Sequence, residues 1–144
     1  MAPTDYQNID VYLICRNEAT QTMKPLLIIG LGGCIGSIFR YLIQMYIGRS
    51  ITQAFPLGTL LVNISGCLII GLLYGFSAKY AAITVEWRLF LVTGLCGGYT
   101  TFSSFSYESI SLFKQGNYTY FILYTSLSFV LGLLATVGGI AIVK

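Results

Sequence analysis

Long apolar stretches separated by short polar connections dominate the hydrophobic pattern of this chain. Residues 56–76, 89–107 and 115–143 contain no charged side chain, and residues 26–48 contain only Arg40. An apolar stretch of about 18 or more residues with few charges is typical of a membrane-spanning helix. The pattern therefore predicts an all-α membrane protein of four transmembrane helices, and the short loops place neighbouring spans in alternating directions.

The composition agrees with a chain embedded in lipid. Hydrophobic residues make up 56% and charged residues 9% of the 144 residues, with a net charge of +3, whereas soluble domains carry about 25% charged residues. The sequence contains no histidine, the most frequent general base and metal ligand. We therefore expect no enzymatic activity, and the absence of a basic cluster argues against a nucleic-acid partner.

The first 22 residues are polar and mixed in charge, unlike the rest of the chain. Their apolar patch, residues 11–15, is too short for the hydrophobic region of a signal peptide. We predict that residues 1–22 form an extension, either a disordered tail or a start-site artefact. Residues 23–144 form the transmembrane domain, with spans at about 25–48, 56–80 and 89–114 and a fourth that follows the turn at residues 115–117.

Basic residues give only a slight bias in orientation. The expected topology places four of them on one side of the membrane and two on the other, which weakly favours cytoplasmic termini. The first group is Lys24, Lys79, Arg88 and Lys144, and the second is Arg49 and Lys114. A chain marked so weakly permits insertion in both orientations, and therefore an antiparallel dimer.

Glycines recur at a spacing of four residues in three of the predicted spans. The pairs are Gly32 and Gly36, Gly71 and Gly75, and Gly94 and Gly98. Small residues at this spacing let helix backbones approach closely in lipid. We predict tight helix packing at these positions.

Three polar residues lie where the membrane makes them costly. Arg40 lies past the middle of the first span, where an arginine costs about 2.5–3.5 kcal/mol on insertion scales. It needs water, a partner or an anion, unless its side chain reaches the nearby interface. Thr59 and Asn63 lie one helical turn apart on one face of the second span, where they either line a pathway or join two helices by hydrogen bonds.

The third span contains a sequence that does not favour a continuous helix. Two adjacent glycines, Gly97 and Gly98, precede the β-branched pair Thr100 and Thr101. A helix break inside a membrane leaves backbone groups unpaired, and such breaks occur where the backbone lines a cavity or binds an ion.

Aromatic and acidic residues follow this predicted break. Phe102 and Phe105 share one helical face, and the positive edges of their rings can attract an anion; the alternative is ordinary core packing. Glu108 lies near the end of the span, either in a vestibule or at the membrane interface.

Together these motifs resemble the CrcB, or Fluc, family of fluoride channels. The matching segments are residues 32–41, residues 58–66 and residues 94–106, and the similarity extends from about Met23 to the end. The resemblance implies passive, fluoride-selective export across a bacterial inner membrane by an antiparallel, dual-topology homodimer with two pores.

The resemblance also implies roles for individual residues. The pore would be lined by Asn63, Phe102, Phe105, Ser103, Ser104, Thr59, Tyr124, Arg40 and Glu108. A structural sodium ion at the dimer centre would be bound by backbone carbonyls, those of Gly97 and Thr100.

Two other functions remain open from the sequence. A proton-coupled multidrug exporter of four helices would need an acidic residue deep in the first span, and residues 25–48 contain none. A non-conducting accessory subunit would not require Arg40, Asn63 and a broken span together.

Overall fold

The computed structural model describes residues 5–50, 55–79 and 84–144, with side chains from residue 22 to residue 48 in the first range. The described residues are helical and include no β-strand. In chain order the elements are α1 (Asp5–Ser50), α2 (Leu57–Lys79), α3 (Val85–Arg88), a π-helical segment (Leu89–Cys96), α4 (Gly97–Tyr99), α5 (Phe102–Lys114) and α6 (Tyr118–Val143).

Three helical segments are long and apolar enough to cross a membrane. They are Thr22–Gly48 within α1, Leu57–Lys79 and Tyr118–Val143, as found among the described residues. The predicted third span is not one continuous helix, because it is divided into α3, the π-helical segment, α4 and α5. The all-helical membrane fold and the broken third span are thus confirmed, while the dimer and its dual topology stay predictions.

The first helix differs from its predicted limits. It was expected to begin at about Pro25, but α1 begins at Asp5 and passes through this proline. The fixed φ of proline is compatible with helical geometry, but inside a helix the residue lacks its backbone donor and its ring crowds the carbonyl four residues earlier, which is why a helix start was expected there. Residues 1–4 and the side chains of residues 5–21 lie outside the described part, so the domain boundary at residue 22 stays a prediction.

The turn between α5 and α6 confirms the expected connection at residues 115–117. Gly116 has a φ of +76°, a left-handed conformation that favours glycine. Its N–H donates to the Phe113 carbonyl (3.1 Å), and the Asn117 N–H donates to the Leu112 carbonyl (3.0 Å). These two bonds cap the free carbonyls at the end of α5 and direct α6 back along it.

Glycines bring the helices into close backbone contact, as the sequence predicted. A Cβ on Gly94 of the π-helical segment would lie 2.8 Å from the Ile29 carbonyl oxygen and 3.0 Å from Gly32 Cα in α1. A Cβ on Gly71 of α2 would meet α6 beside Gly139, 3.1 Å from its Cα. Two tight pairs result, α1 with the first half of the third span and α2 with α6.

We expect Gly139→Ala to destabilise the folded protein by about 1–3 kcal/mol, the usual cost of overpacking a tight interior. The added Cβ would lie 2.5 Å from the Leu68 carbonyl oxygen and 2.7 Å from the Leu72 nitrogen, both in the α2 backbone. The measurement is the thermal midpoint of unfolding in detergent. Gly138→Ala is the matched control, since no atom lies within 4 Å of its Cβ; equal midpoints in the two variants would contradict this packing.

Large apolar side chains mostly face outward, whereas polar side chains meet between the helices. Only a few large side chains, among them Val62 and Tyr124, are fully buried in the described part of the chain. Thr59 and Thr101 are also buried, with 2% and 5% of their surfaces exposed. Because lipid tails are themselves apolar, such a protein can turn leucine and isoleucine outward and reserve its interior for hydrogen-bonding groups.

Candidate functional site

The break in the third span lies at Thr100 and Thr101, just after the two glycines. Thr101 has an extended backbone (φ −147°, ψ 112°), and its hydroxyl accepts the Ser104 N–H as the N-cap of α5. Threonine suits this position because its branched side chain favours extended backbone and because its hydroxyl oxygen can cap a helix. The glycines themselves remain helical because they lie where α4 contacts α1; a Cβ on Gly98 would meet the backbone of Gly33.

Asn63 of α2 holds this break with both ends of its amide. Its Nδ2 donates to the Thr101 carbonyl (3.1 Å), and its Oδ1 accepts the Thr101 N–H (2.8 Å). A backbone unit leaving a helix within a membrane must find such partners. The predicted pore asparagine is therefore a two-point clamp on the helix break.

At the break, the carbonyls of Gly97 and Thr100 lose their usual helical donors. In a continuous α-helix, Gly97 would accept the Thr101 N–H, and Thr100 would accept the Ser104 N–H. Here the first N–H donates to Asn63 and the second to the Thr101 hydroxyl. The family resemblance implies that these two carbonyls bind a sodium ion, and unwound backbone carbonyls coordinate sodium in other membrane proteins.

An aromatic cavity lies beside the clamp. Its volume is about 270 Å³, and its wall includes Asn63, Thr100, Phe102, Phe105 and Ser128. The two phenylalanine rings have centroids 5.7 Å apart and planes tilted by 42°. Phe102 is 78% exposed in the single chain, so the outer side of this cavity is open.

A second cavity of about 370 Å³ is lined by Thr59, Ser104 and Glu108, among others. The Thr59 hydroxyl donates to Oε1 of Glu108 (2.7 Å), and the Tyr124 hydroxyl donates to Oε2 (2.6 Å). Each carboxylate oxygen thus accepts one hydroxyl. Because Thr59 and Asn63 are one turn apart on α2, the two cavities follow one another along that helix.

Tyr124 joins the two cavities through its ring. The ring centroid lies 5.3 Å from that of Phe105, while its hydroxyl reaches Glu108. Phe55 packs edge-on against the same ring at 5.7 Å. The ring is fully buried, so its hydroxyl is held in place by packing on both faces.

The other predicted site residues are placed less centrally. Ser104 lines the larger cavity, but Ser103 is exposed and bonds to the Thr101 hydroxyl at 3.2 Å. Arg40 is half-buried, lines neither cavity and has no hydrogen-bond or ionic partner within the described part of the chain. The structure of one chain therefore joins Thr59, Asn63, Phe102, Phe105, Glu108 and Tyr124, but not Arg40.

The polar residues of these cavities that were not among the predicted site residues include Gln44 and Ser128. Gln44 of α1 lines the larger cavity and donates to the Thr59 hydroxyl (3.0 Å). The Ser128 hydroxyl lines the smaller one and is the one buried side-chain polar atom without a hydrogen-bond partner among the described residues. Gln44 follows the predicted site residue Arg40 by one helical turn, and Ser128 follows the predicted site residue Tyr124 by the same distance. This spacing in the sequence could have identified both residues.

Comparison with known proteins gives one consistent result. Residues 27–140 match the family model described as CrcB-like protein, Camphor Resistance (CrcB). The chain is also similar to proteins named fluoride-specific ion channel FluC. The one from Flavobacterium psychrophilum is 47% identical over 122 residues, which cover 85% of this chain and 98% of the relative. The one from Phocaeicola vulgatus is 49% identical over 118 residues, which cover 82% and 97%.

Proposed function

Since the chain belongs to the CrcB family, we propose that it is a fluoride-specific ion channel that lets fluoride leave the cell passively across a bacterial inner membrane. The observation that carries this function is the row of neutral donors and ring edges along α2 and α5. It lies between helices that are otherwise largely apolar, and among the side chains that the structure describes no lysine or arginine lines either cavity.

Fluoride is small and strongly hydrated, so a pore must replace its water by donors at close range. Neutral hydroxyl and amide donors do this without the fixed positive charge that would trap the ion. The hydroxyls of Thr59, Ser104 and Ser128 line the cavities. We assign them this role, together with the Tyr124 hydroxyl, which donates to Glu108. The free hydroxyl of Ser128 is available to an ion without breaking a protein hydrogen bond.

Phe102 and Phe105 would line the passage of fluoride from one cavity to the other. Phe105 contacts both Phe102 and Tyr124 through its ring, so the three rings form a continuous aromatic row. The edge of each ring carries positive partial charge. A small anion can pass from edge to edge, while a larger halide meets a wall of rings.

Glu108 would keep the donors aligned. Its carboxylate holds the Thr59 and Tyr124 hydroxyls at 2.7 and 2.6 Å. Each hydroxyl is thus already oriented toward an anion. Fluoride would replace the Glu108 carboxylate as its acceptor without further rearrangement. The negative charge beside the path also prevents fluoride from binding too tightly to leave.

Growth in fluoride tests this function in cells. A bacterial strain that lacks its own fluoride exporter should regain growth in fluoride when it expresses this chain, relative to an empty vector. Failure of a well-expressed protein to restore growth would count against the function. Resistance to a cationic dye such as ethidium, without resistance to fluoride, would instead favour the four-helix multidrug exporter.

We further propose an antiparallel homodimer with a sodium ion at its centre. The exposed Phe102 and the open side of the aromatic cavity support a second copy as the missing wall. The carbonyls of Gly97 and Thr100, whose helical donors are diverted, fit the cation. When bound, sodium would supply positive charge that neutralises these dipoles and joins the two copies.

We expect sodium to stabilise the purified dimer, because a ligand that binds only the folded state adds about 2.7 kcal/mol at one hundred times its dissociation constant. The measurement is the thermal midpoint in detergent as sodium replaces N-methylglucamine at constant ionic strength, with potassium as the control. Equal midpoints in all three salts would contradict the site.

A further inference from the structure

Gln44 lies in the last turns of α1 and brings this helix to the larger cavity. Its side chain is half-buried, and its Nε2 donates to the Thr59 hydroxyl oxygen at 3.0 Å. The close approach depends on Gly58, since a Cβ there would lie 3.3 Å from the Gln44 Cα. The contact therefore follows from the backbone packing of α1 against the start of α2.

The direction of the Thr59 hydroxyl is set from both sides. A hydroxyl has one proton to donate, and that of Thr59 is donated to Glu108 at 2.7 Å. Its oxygen accepts the amide N–H of Gln44. If the amide were reversed, its carbonyl would face the Thr59 oxygen and compete with Glu108 for a single proton. The network therefore requires the Gln44 amide nitrogen at this position.

The result is a directional chain of hydrogen bonds that crosses four helices. It runs from Gln44 in α1 through Thr59 in α2 to Glu108 in α5, which also accepts from Tyr124 in α6. Every donor in this chain points toward the carboxylate. Removing Gln44 as a donor frees the Thr59 hydroxyl to rotate and removes the contribution of Gln44 in α1 to the chain.

We propose that Gln44 is a positioning residue of the fluoride pathway, which acts by fixing the Thr59 hydroxyl and, through it, the Glu108 carboxylate. The inference rests on the proposed function, because it concerns the path that fluoride takes through the larger cavity. Gln44 need not touch the ion; it fixes the Thr59 oxygen and so the direction in which this hydroxyl donates to Glu108 beside the path.

Two variants of similar size test this role. Gln44→Met removes the donor and keeps the length of the side chain, and we expect fluoride release from liposomes to fall about tenfold, as for the loss of one oriented hydrogen bond. Gln44→Glu places a second carboxylate against Thr59, whose single proton cannot satisfy both acidic groups. We expect this variant to fall further, by about a hundredfold.

A double-mutant cycle separates positioning from space filling. Thr59→Ser retains a hydroxyl, whereas Thr59→Val removes the group on which Gln44 acts. The effect of Gln44→Met should therefore persist beside Thr59→Ser and vanish beside Thr59→Val, because the two residues act as one unit. Equal, additive losses in both backgrounds would overturn the proposal.

The controls separate failure of this inference from failure of the function itself. Gln115→Met removes an exposed glutamine at the end of α5 and should leave release unchanged, and all variants are compared as assembled protein of equal elution volume. Release by the wild type together with wild-type rates in Gln44→Met and Gln44→Glu would overturn the role of Gln44 alone. No release by the wild type would overturn the function on which it rests.

Discussion

Asn63→Asp should lower fluoride release from liposomes by about a hundredfold or more. The substitution leaves an acceptor for the Thr101 N–H but removes the donor to the Thr101 carbonyl, a bond of 3.1 Å in the structure. It also places a carboxylate in the wall of the aromatic cavity, where it faces that carbonyl and repels an entering anion. Both changes act at the same point of the fluoride path, so both raise the free-energy barrier to fluoride passage there.

A matched control shows that the change from amide to carboxylate is not itself harmful. Asn117→Asp makes the same change at an exposed position before α6, where an acid at a helix N-terminus is favourable. Its release should equal that of the wild type. Wild-type release in assembled Asn63→Asp would remove this residue from the mechanism.

Phe102→Ile should also reduce fluoride release to near background while the dimer remains assembled. The side chain is 78% exposed in one chain, so its loss costs little packing within that chain. What is lost is the aromatic ring that lines the cavity and the 5.7 Å contact with Phe105. Isoleucine has no quadrupole, and it presents an apolar branch where the anion must give up its water.

Phe113→Ile is the control for Phe102→Ile because both residues belong to α5. Phe113 packs against Tyr118 and Phe121 at the far end of that helix, away from both cavities. Its replacement should lower stability slightly and leave fluoride release per dimer unchanged. Equal release by Phe102→Ile and Phe113→Ile would show that the aromatic row does not carry the ion.

Much of the fold could be predicted because charged residues and residues that disfavour a helix are costly within a membrane. Such residues therefore stand out against the apolar spans. Charge-free stretches predicted the spans, and the threonines after Gly97 and Gly98 predicted the break. Both predictions were possible because each depends only on residues close together in the sequence. The extension of α1 through Pro25 was not foreseen, since the preceding residues are polar. The location of the break at Thr100 and Thr101, rather than at the glycines, depends on packing against Gly33 of α1.

The candidate site could be predicted only in part. Residue types and the family resemblance identified Asn63, Phe102, Phe105, Glu108 and Tyr124, which the structure gathers at two adjoining cavities. That Asn63 clamps both backbone groups of one residue follows from where the break lies relative to α2, and no spacing in the sequence contains this information. The place of Gln44 likewise depends on how α1 crosses α2.

The most direct test of the central claim is fluoride efflux from liposomes that contain the purified protein, measured with a fluoride electrode beside a chloride electrode. A fluoride-specific channel releases fluoride rapidly, releases no chloride under the same conditions, and loses this release in Phe102→Ile. Absence of fluoride release from well-folded wild-type protein, or equal release of chloride, would contradict the account.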